Sequence, residues 1–93
     1  MNNYALVNSG ESTWTLTLSP NPVQNKLEIQ LSNIYGATSI SVIDIMGRKL
    51  STQQINISGS NKVNFNTTNL KSALYFIQVT NNNQTEYLKF IKQ

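Results

Sequence analysis

Apolar residues recur at every second position through much of this chain. Trp14, Leu16 and Leu18 alternate with Thr15, Thr17 and Ser19, and Leu27, Ile29 and Leu31 alternate with Lys26, Glu28 and Gln30. A period of two places successive side chains on opposite faces, so each run predicts a half-buried β-strand. Ser39–Ile45 and Leu74–Val79 are more continuously apolar, which predicts central strands with little solvent on either face. Lys49–Ile55 and Lys62–Phe65 are shorter strand candidates, the second with Val63 and Phe65 on one face, and Thr85–Ile91 closes the chain. No stretch keeps an i, i+3, i+4 apolar stripe for three turns, so no substantial helix is expected. About seven short strands with turn signals between them predict an all-β fold, an antiparallel Ig-like β-sandwich. The pattern does not fix its topology.

Residues 1–13 are polar apart from Tyr4–Val7, and Asn8–Ser12 has the composition of a linker. Residues 14–93 then form one domain, with no internal repeat. At 93 residues the chain supports a core that folds alone with a modest stability margin. Only 39% of residues are hydrophobic and 12% charged, but a net charge of +3 is far from the highly charged composition of disordered chains.

The chain has no histidine and no cysteine. That excludes disulfides, thiolate and imidazole metal sites, and Ser-His or Cys-His nucleophile pairs. The four carboxylates are Glu11, Glu28, Asp44 and Glu86, and none of their positions places two together in a cleft. We therefore expect no catalysis and no cofactor. The pI of 9.4 comes from basic residues scattered along the chain, without the dense basic patch that nucleic acid requires. No run is long enough to span a membrane, and Met1-Asn2-Asn3-Tyr4 does not open a signal peptide. The chain reads as a piece of a longer protein.

Four short segments stand out. Ser19-Pro20-Asn21-Pro22 is a stiff corner, because each proline fixes φ and Pro22 pushes Asn21 toward the extended region. Asp44-Ile45-Met46-Gly47 fits a type I turn capped by the Asp44 side chain, with Gly47 where positive φ is favoured and Arg48 following. Leu70 through Ile77 is a leucine, a short turn and an aromatic strand containing Tyr75. Lys89-Phe90-Ile91-Lys92 is a charged terminal strand that guards an edge, read with both lysines on one face beside Ile91. Each segment alone is ordinary β-sheet punctuation.

In this order and spacing, over residues 15–93, they resemble the type A C-terminal sorting domain of the type IX (Por) secretion system of Bacteroidota. The resemblance rests on Pro20-Asn21-Pro22 followed by a small apolar residue (Val23), on Asp44-x-x-Gly47-Arg48, on Leu70 through Ile77 with Tyr75, and on the terminal Lys89-Phe90-Ile91-Lys92. One departure is visible: Ala73 stands where the family usually has glycine, so the turn here takes another shape or shifts by a residue. The resemblance implies a signal that directs an attached cargo protein across the outer membrane by protein–protein recognition. It further implies recognition by the translocon, transit through the periplasm to the cell surface or medium, and a cell-surface sortase cutting within residues 1–13. An exposed last strand also allows weak self-association. Two other readings fit the bare β pattern: an Ig-like adhesion or carbohydrate-binding module of a surface protein, and a structural spacer. An exposed aromatic platform would favour the first, whereas indifference of export to loss of Lys89–Gln93 would favour the second.

Overall fold

The computed structural model describes residues 14–93; the linker and cleavage region expected within 1–13 lie outside them. Five strands follow one another: β1 (Thr15–Ser19), β2 (Lys26–Ile43), β3 (Lys49–Asn66), β4 (Ala73–Asn81) and β5 (Gln84–Lys92). All strand-to-strand pairings are antiparallel. The expected all-β, antiparallel class is what forms, but with five strands in place of about seven short ones, and a seven-strand Ig-like sandwich is not seen among the described residues. The segments 26–31 and 39–45 fuse into one strand of 18 residues, as do 49–55 and 62–65. The result is a single curled sheet shaped like a half-barrel.

A bend makes this possible. β3 runs along one edge of β2 for its whole length, while the other edge of β2 pairs first with β1 (Glu28–Ser32) and then with β4 (Thr38–Ile43). Between those stretches Asn33 is the extra residue of a β-bulge, with φ 62°, and Gly36 has φ 100°. On β3, Gly59 sits opposite Ile34, also with φ 100°. Both strands thus turn at the same height, where bulges and left-handed residues tolerate a sharp change of direction. The bulge also resets the side-chain parity. Leu27, Ile29 and Leu31 face inward before it, and Ile34, Ile40 and Val42 after it, so one strand feeds one core along its length.

That core gathers Val63 and Phe65 of β3, Tyr75, Ile77 and Val79 of β4, and Phe90 of β5 around the inward row of β2. Trp14 and Leu16 pack at its margin, with Trp14 Nε1 donating to Gln84 Oε1 at 3.0 Å. The β4–β5 hairpin turns through Asn82 and Asn83, at φ 50° and 67°. Two consecutive left-handed residues match the twist of the flanking strands, and asparagine adopts that region more readily than most residues. Asn81, beside it, is buried and donates its side-chain amide to Tyr35 O at 2.9 Å and to Thr38 Oγ1 at 3.1 Å.

Candidate functional site

The four segments singled out in the sequence meet at one end of the curled sheet. The Pro20–Pro22 corner leaves β1 and lays the following residues along the end of β5. Ile91 N donates to Asn21 Oδ1 at 3.1 Å, Val23 N donates to Ile91 O at 2.8 Å, and Gln93 N donates to Val23 O at 2.9 Å. Val23 and Lys92 form a parallel bridge, and Val23 is fully buried. Both peptides preceding the prolines are cis. The corner therefore serves as a short extra strand that covers the edge of the chain's last residues.

A second tie holds the same corner from below. Thr67 is fully buried; its N–H donates to Asn25 O at 2.7 Å, and its own carbonyl accepts from Leu70 N at 3.0 Å. The Leu70–Tyr75 segment is then closed onto β5. Tyr75 Oη donates to Lys71 O at 2.7 Å, and the Tyr75 ring stacks on Phe90 with centroids 5.6 Å apart. Lys92 Nζ donates to Leu70 O at 3.1 Å.

The two lysines of the terminal strand fall on opposite faces, which corrects their expected placement together. Strand geometry alternates sides, so Lys89 and Ile91 point outward while Phe90 and Lys92 point into the interior. Lys92 is only 7% exposed and Lys89 is exposed. Ala73 is not among the residues with positive φ; it opens β4 in register with Lys92. The turn of residues 67–72 thus makes its change of direction before reaching Ala73, and no glycine is required there.

The Asp44–Arg48 hairpin turn lies beside Lys71–Tyr75, the two segments lining one groove. Gly47, at φ 85°, donates to Asp44 O at 3.0 Å, and Asp44 N donates to Arg48 O at 3.0 Å. The Asp44 carboxylate accepts from Met46 N and Arg48 N, each at 2.9 Å, and from Arg48 Nε at 2.7 Å. The Arg48 N–H is the main influence holding the Asp44 carboxyl below the usual carboxylate range. Partial loss of hydration opposes it, and the Arg48 side chain, the Met46 N–H and the guanidinium charge reinforce it. Asp44 thereby completes its own turn, and the Arg48 side chain stays 74% exposed.

Sequence reasoning singled out Pro20, Asn21, Pro22, Asp44, Gly47, Arg48, Leu70, Tyr75, Lys89 and Lys92, and all of these lie on the segments that meet at this end. It missed Phe90 and Thr67 as the packing and hydrogen-bonding centre of the cluster. It also missed Ile45 and Met46, whose signal was legible: large apolar side chains at the tip of a turn. Among the described residues no group of carboxylates could hold a metal ion, and no helix is long and apolar enough to cross a membrane.

Fold and site define a small β-module that brings its distinguishing side chains to one end as a surface. Residues 17–93 match the family described as the secretion system C-terminal sorting domain, and the chain belongs to that family. It is a C-terminal sorting signal for type IX secretion, which carries proteins across the outer membrane to the cell surface or extracellular space. Domains of this family are in general non-catalytic and are recognised by the secretion machinery. No curated protein matches the chain.

Proposed function

We propose that residues 14–93 act as one folded recognition unit, read by the type IX translocon at the end where the four segments meet. The cargo is a covalently linked domain on the N-terminal side. It passes through the periplasm with this unit attached, and a cell-surface sortase cuts within residues 1–13. The unit itself does no chemistry.

The observation that supports this reading is the convergence of segments up to 70 residues apart in sequence, as between Asn21 and Ile91. A second division follows from burial. Arg48 and Lys89, both exposed, are the side chains the machinery reads. Asn21, Leu70, Tyr75 and Lys92 hold the end in shape, since their polar atoms or rings are engaged within the fold.

The test is an export assay. Residues 1–93 are fused behind a signal peptide and a fluorescent reporter in a host with the type IX system, alongside a translocon-null strain. Reporter outside wild-type cells and held in the null periplasm supports the reading. Reporter held inside both strains, with the domain folded, overturns it.

A further inference from the structure

Six large apolar side chains are exposed among the described residues, and five of them, Ile45, Met46, Leu50, Tyr87 and Ile91, lie at the end just described. Ile45 and Met46 occupy the central positions of the Asp44–Gly47 turn and are 68% and 76% exposed. The turn does not need them. Its geometry is set by the Asp44 carboxylate and by Gly47, so polar residues would serve at 45 and 46 equally well. Exposed apolar clusters rimmed by charge mark places where another molecule binds.

The surface on either side of Ile45 is concave. One groove, of about 440 Å³, runs between Ile45 and the outward face of the sheet at Ile43, Phe76 and Tyr87. The other, of about 490 Å³, lies between Ile45, Met46, Leu50 and Leu74, with Lys71 at its wall. Leu74 is in register with Ile91, which extends the second groove onto the edge of the last strand. The unpaired charged side chains on this face are lysines, exposed Glu86 beside Tyr87 falling on the other side of β5. Lys71, Lys89 and Lys49 are exposed and form no ion pair among the described residues, while the nearby carboxylate, Asp44, is held by Arg48. A second copy of this chain would bring its own lysines against these, so the surface is unsuited to self-pairing.

We propose that this end docks an extended segment of a partner protein in which apolar side chains are flanked by Asp or Glu. Two apolar side chains fill the grooves on either side of Ile45, and the carboxylates meet Lys71 and Lys89. Two separate concavities match side chains projecting from a chain, where a lipid surface would call for a flat or convex face. The inference rests on the sorting reading and names the chemistry of the partner at the same end.

The test is selection of displayed random short peptides against the full chain of 93 residues. The expected result is enrichment of peptides combining apolar residues with Asp or Glu. Their binding should fall at least about tenfold in Ile45→Asp and in Met46→Asp, as for a central interface residue. It should also weaken in Lys71→Glu and Lys89→Glu and at high salt. The variants are checked by thermal melting, and the exposure of all four positions leaves folding intact. Neutral or basic peptides, no enriched peptide, or equal binding to all variants overturns the inference. So does patch-dependent binding to vesicles containing anionic phospholipid, or patch-dependent dimerisation.

Export separates this inference from the sorting reading. If the wild-type domain fails to export its reporter, the sorting reading fails. If wild type and a folded variant carrying both Ile45→Asp and Met46→Asp export equally, the docking inference alone fails.

Discussion

Lys92 and Lys89 stand three residues apart in one strand, yet their substitutions should differ sharply. Replacing Lys92 with alanine removes a hydrogen bond from a charged donor to Leu70 O, worth about 1.5–3 kcal/mol. It also removes three methylenes from a side chain that is 7% exposed, at about 0.8 kcal/mol each. Against these, the unfolded chain loses less side-chain entropy on folding, about 1.5–2 kcal/mol for a lysine. The fold also no longer has to dehydrate an ammonium group. The net expectation is a destabilisation of about 2–3 kcal/mol, or a fall in Tm of about 10–20 °C for a domain of this size. Lys89→Ala removes an exposed side chain and should stay within about 0.5 kcal/mol of wild type.

Urea unfolding followed by tryptophan fluorescence measures both. Trp14 is the sole tryptophan, half-buried and bonded to Gln84 on β5, so it reports on the strand that carries both lysines. Lys92→Met is the informative control. It keeps the aliphatic stem but strands the Leu70 carbonyl, and should fall between the two alanine variants. A Lys92→Ala protein within about 0.5 kcal/mol of wild type, or a Lys89→Ala protein as unstable as Lys92→Ala, refutes the assignment of Lys92 to the interior tie. On the proposed function the same pair separates in export. The Lys92→Ala defect follows stability and recovers on cooling, whereas the Lys89→Ala defect persists in a stable domain.

Gly47→Ala meets no atom within 4 Å, so its cost is the backbone alone: about 1 kcal/mol for alanine at φ 85°, read as a few degrees in a thermal melt. Ala73→Gly should not stabilise the domain, although glycine is the residue usual in the family. Ala73 begins a strand without positive φ, so the added backbone freedom costs about 0.5–1 kcal/mol, again read by melting. Asp44 gives the domain a pH dependence of definite sign. Its carboxyl titrates lower in the folded state, so its stabilisation is whole above the ordinary carboxylate value and is lost as pH falls through the lowered one. The difference in Tm between wild type and Asp44→Ala should therefore shrink in acid, and a difference that grows there would contradict the hydrogen bonds drawn to Asp44. Phe90→Ala empties a fully buried site against Tyr75 and should cost about 3–5 kcal/mol, enough to leave little folded protein by circular dichroism.

Local pattern carried the strand faces and the turns. The alternation of Leu27, Ile29 and Leu31, and of Val63 and Phe65, gave the inward rows, and Asp44 with Gly47 gave a turn and its cap, because both are decided by neighbours in sequence. What it could not carry was continuity. Residues 32–38 interrupt the alternation and look like a loop between strands, yet a bulge at Asn33 and the left-handed Gly36 carry the ladder through them. A bulged strand and two strands joined by a loop share one composition, and only pairing with β3 distinguishes them. The facing of Lys92 was decidable from parity with Phe90. Its burial was not, because the acceptor is a carbonyl 22 residues away.

On the proposed function, the same distance gives a reason for the signal to be read as a fold. Asn21 holds Ile91, Lys92 holds Leu70, and Leu70 is tied through Thr67 to Asn25 beside the proline corner. These contacts close a circuit through loop, turn and terminal strand, so each of the three is tied to the other two. An unfolded chain presents the same residues but not their arrangement. Exposed apolar side chains alone would mark any misfolded protein, since unfolding exposes such groups in general. At this end they stand at fixed spacing on a closed hydrogen-bonded frame, with lysines at the rim. A receptor that requires that spacing together with that charge discriminates against unfolded cargo by geometry, and it gains affinity because the frame is ordered before it binds.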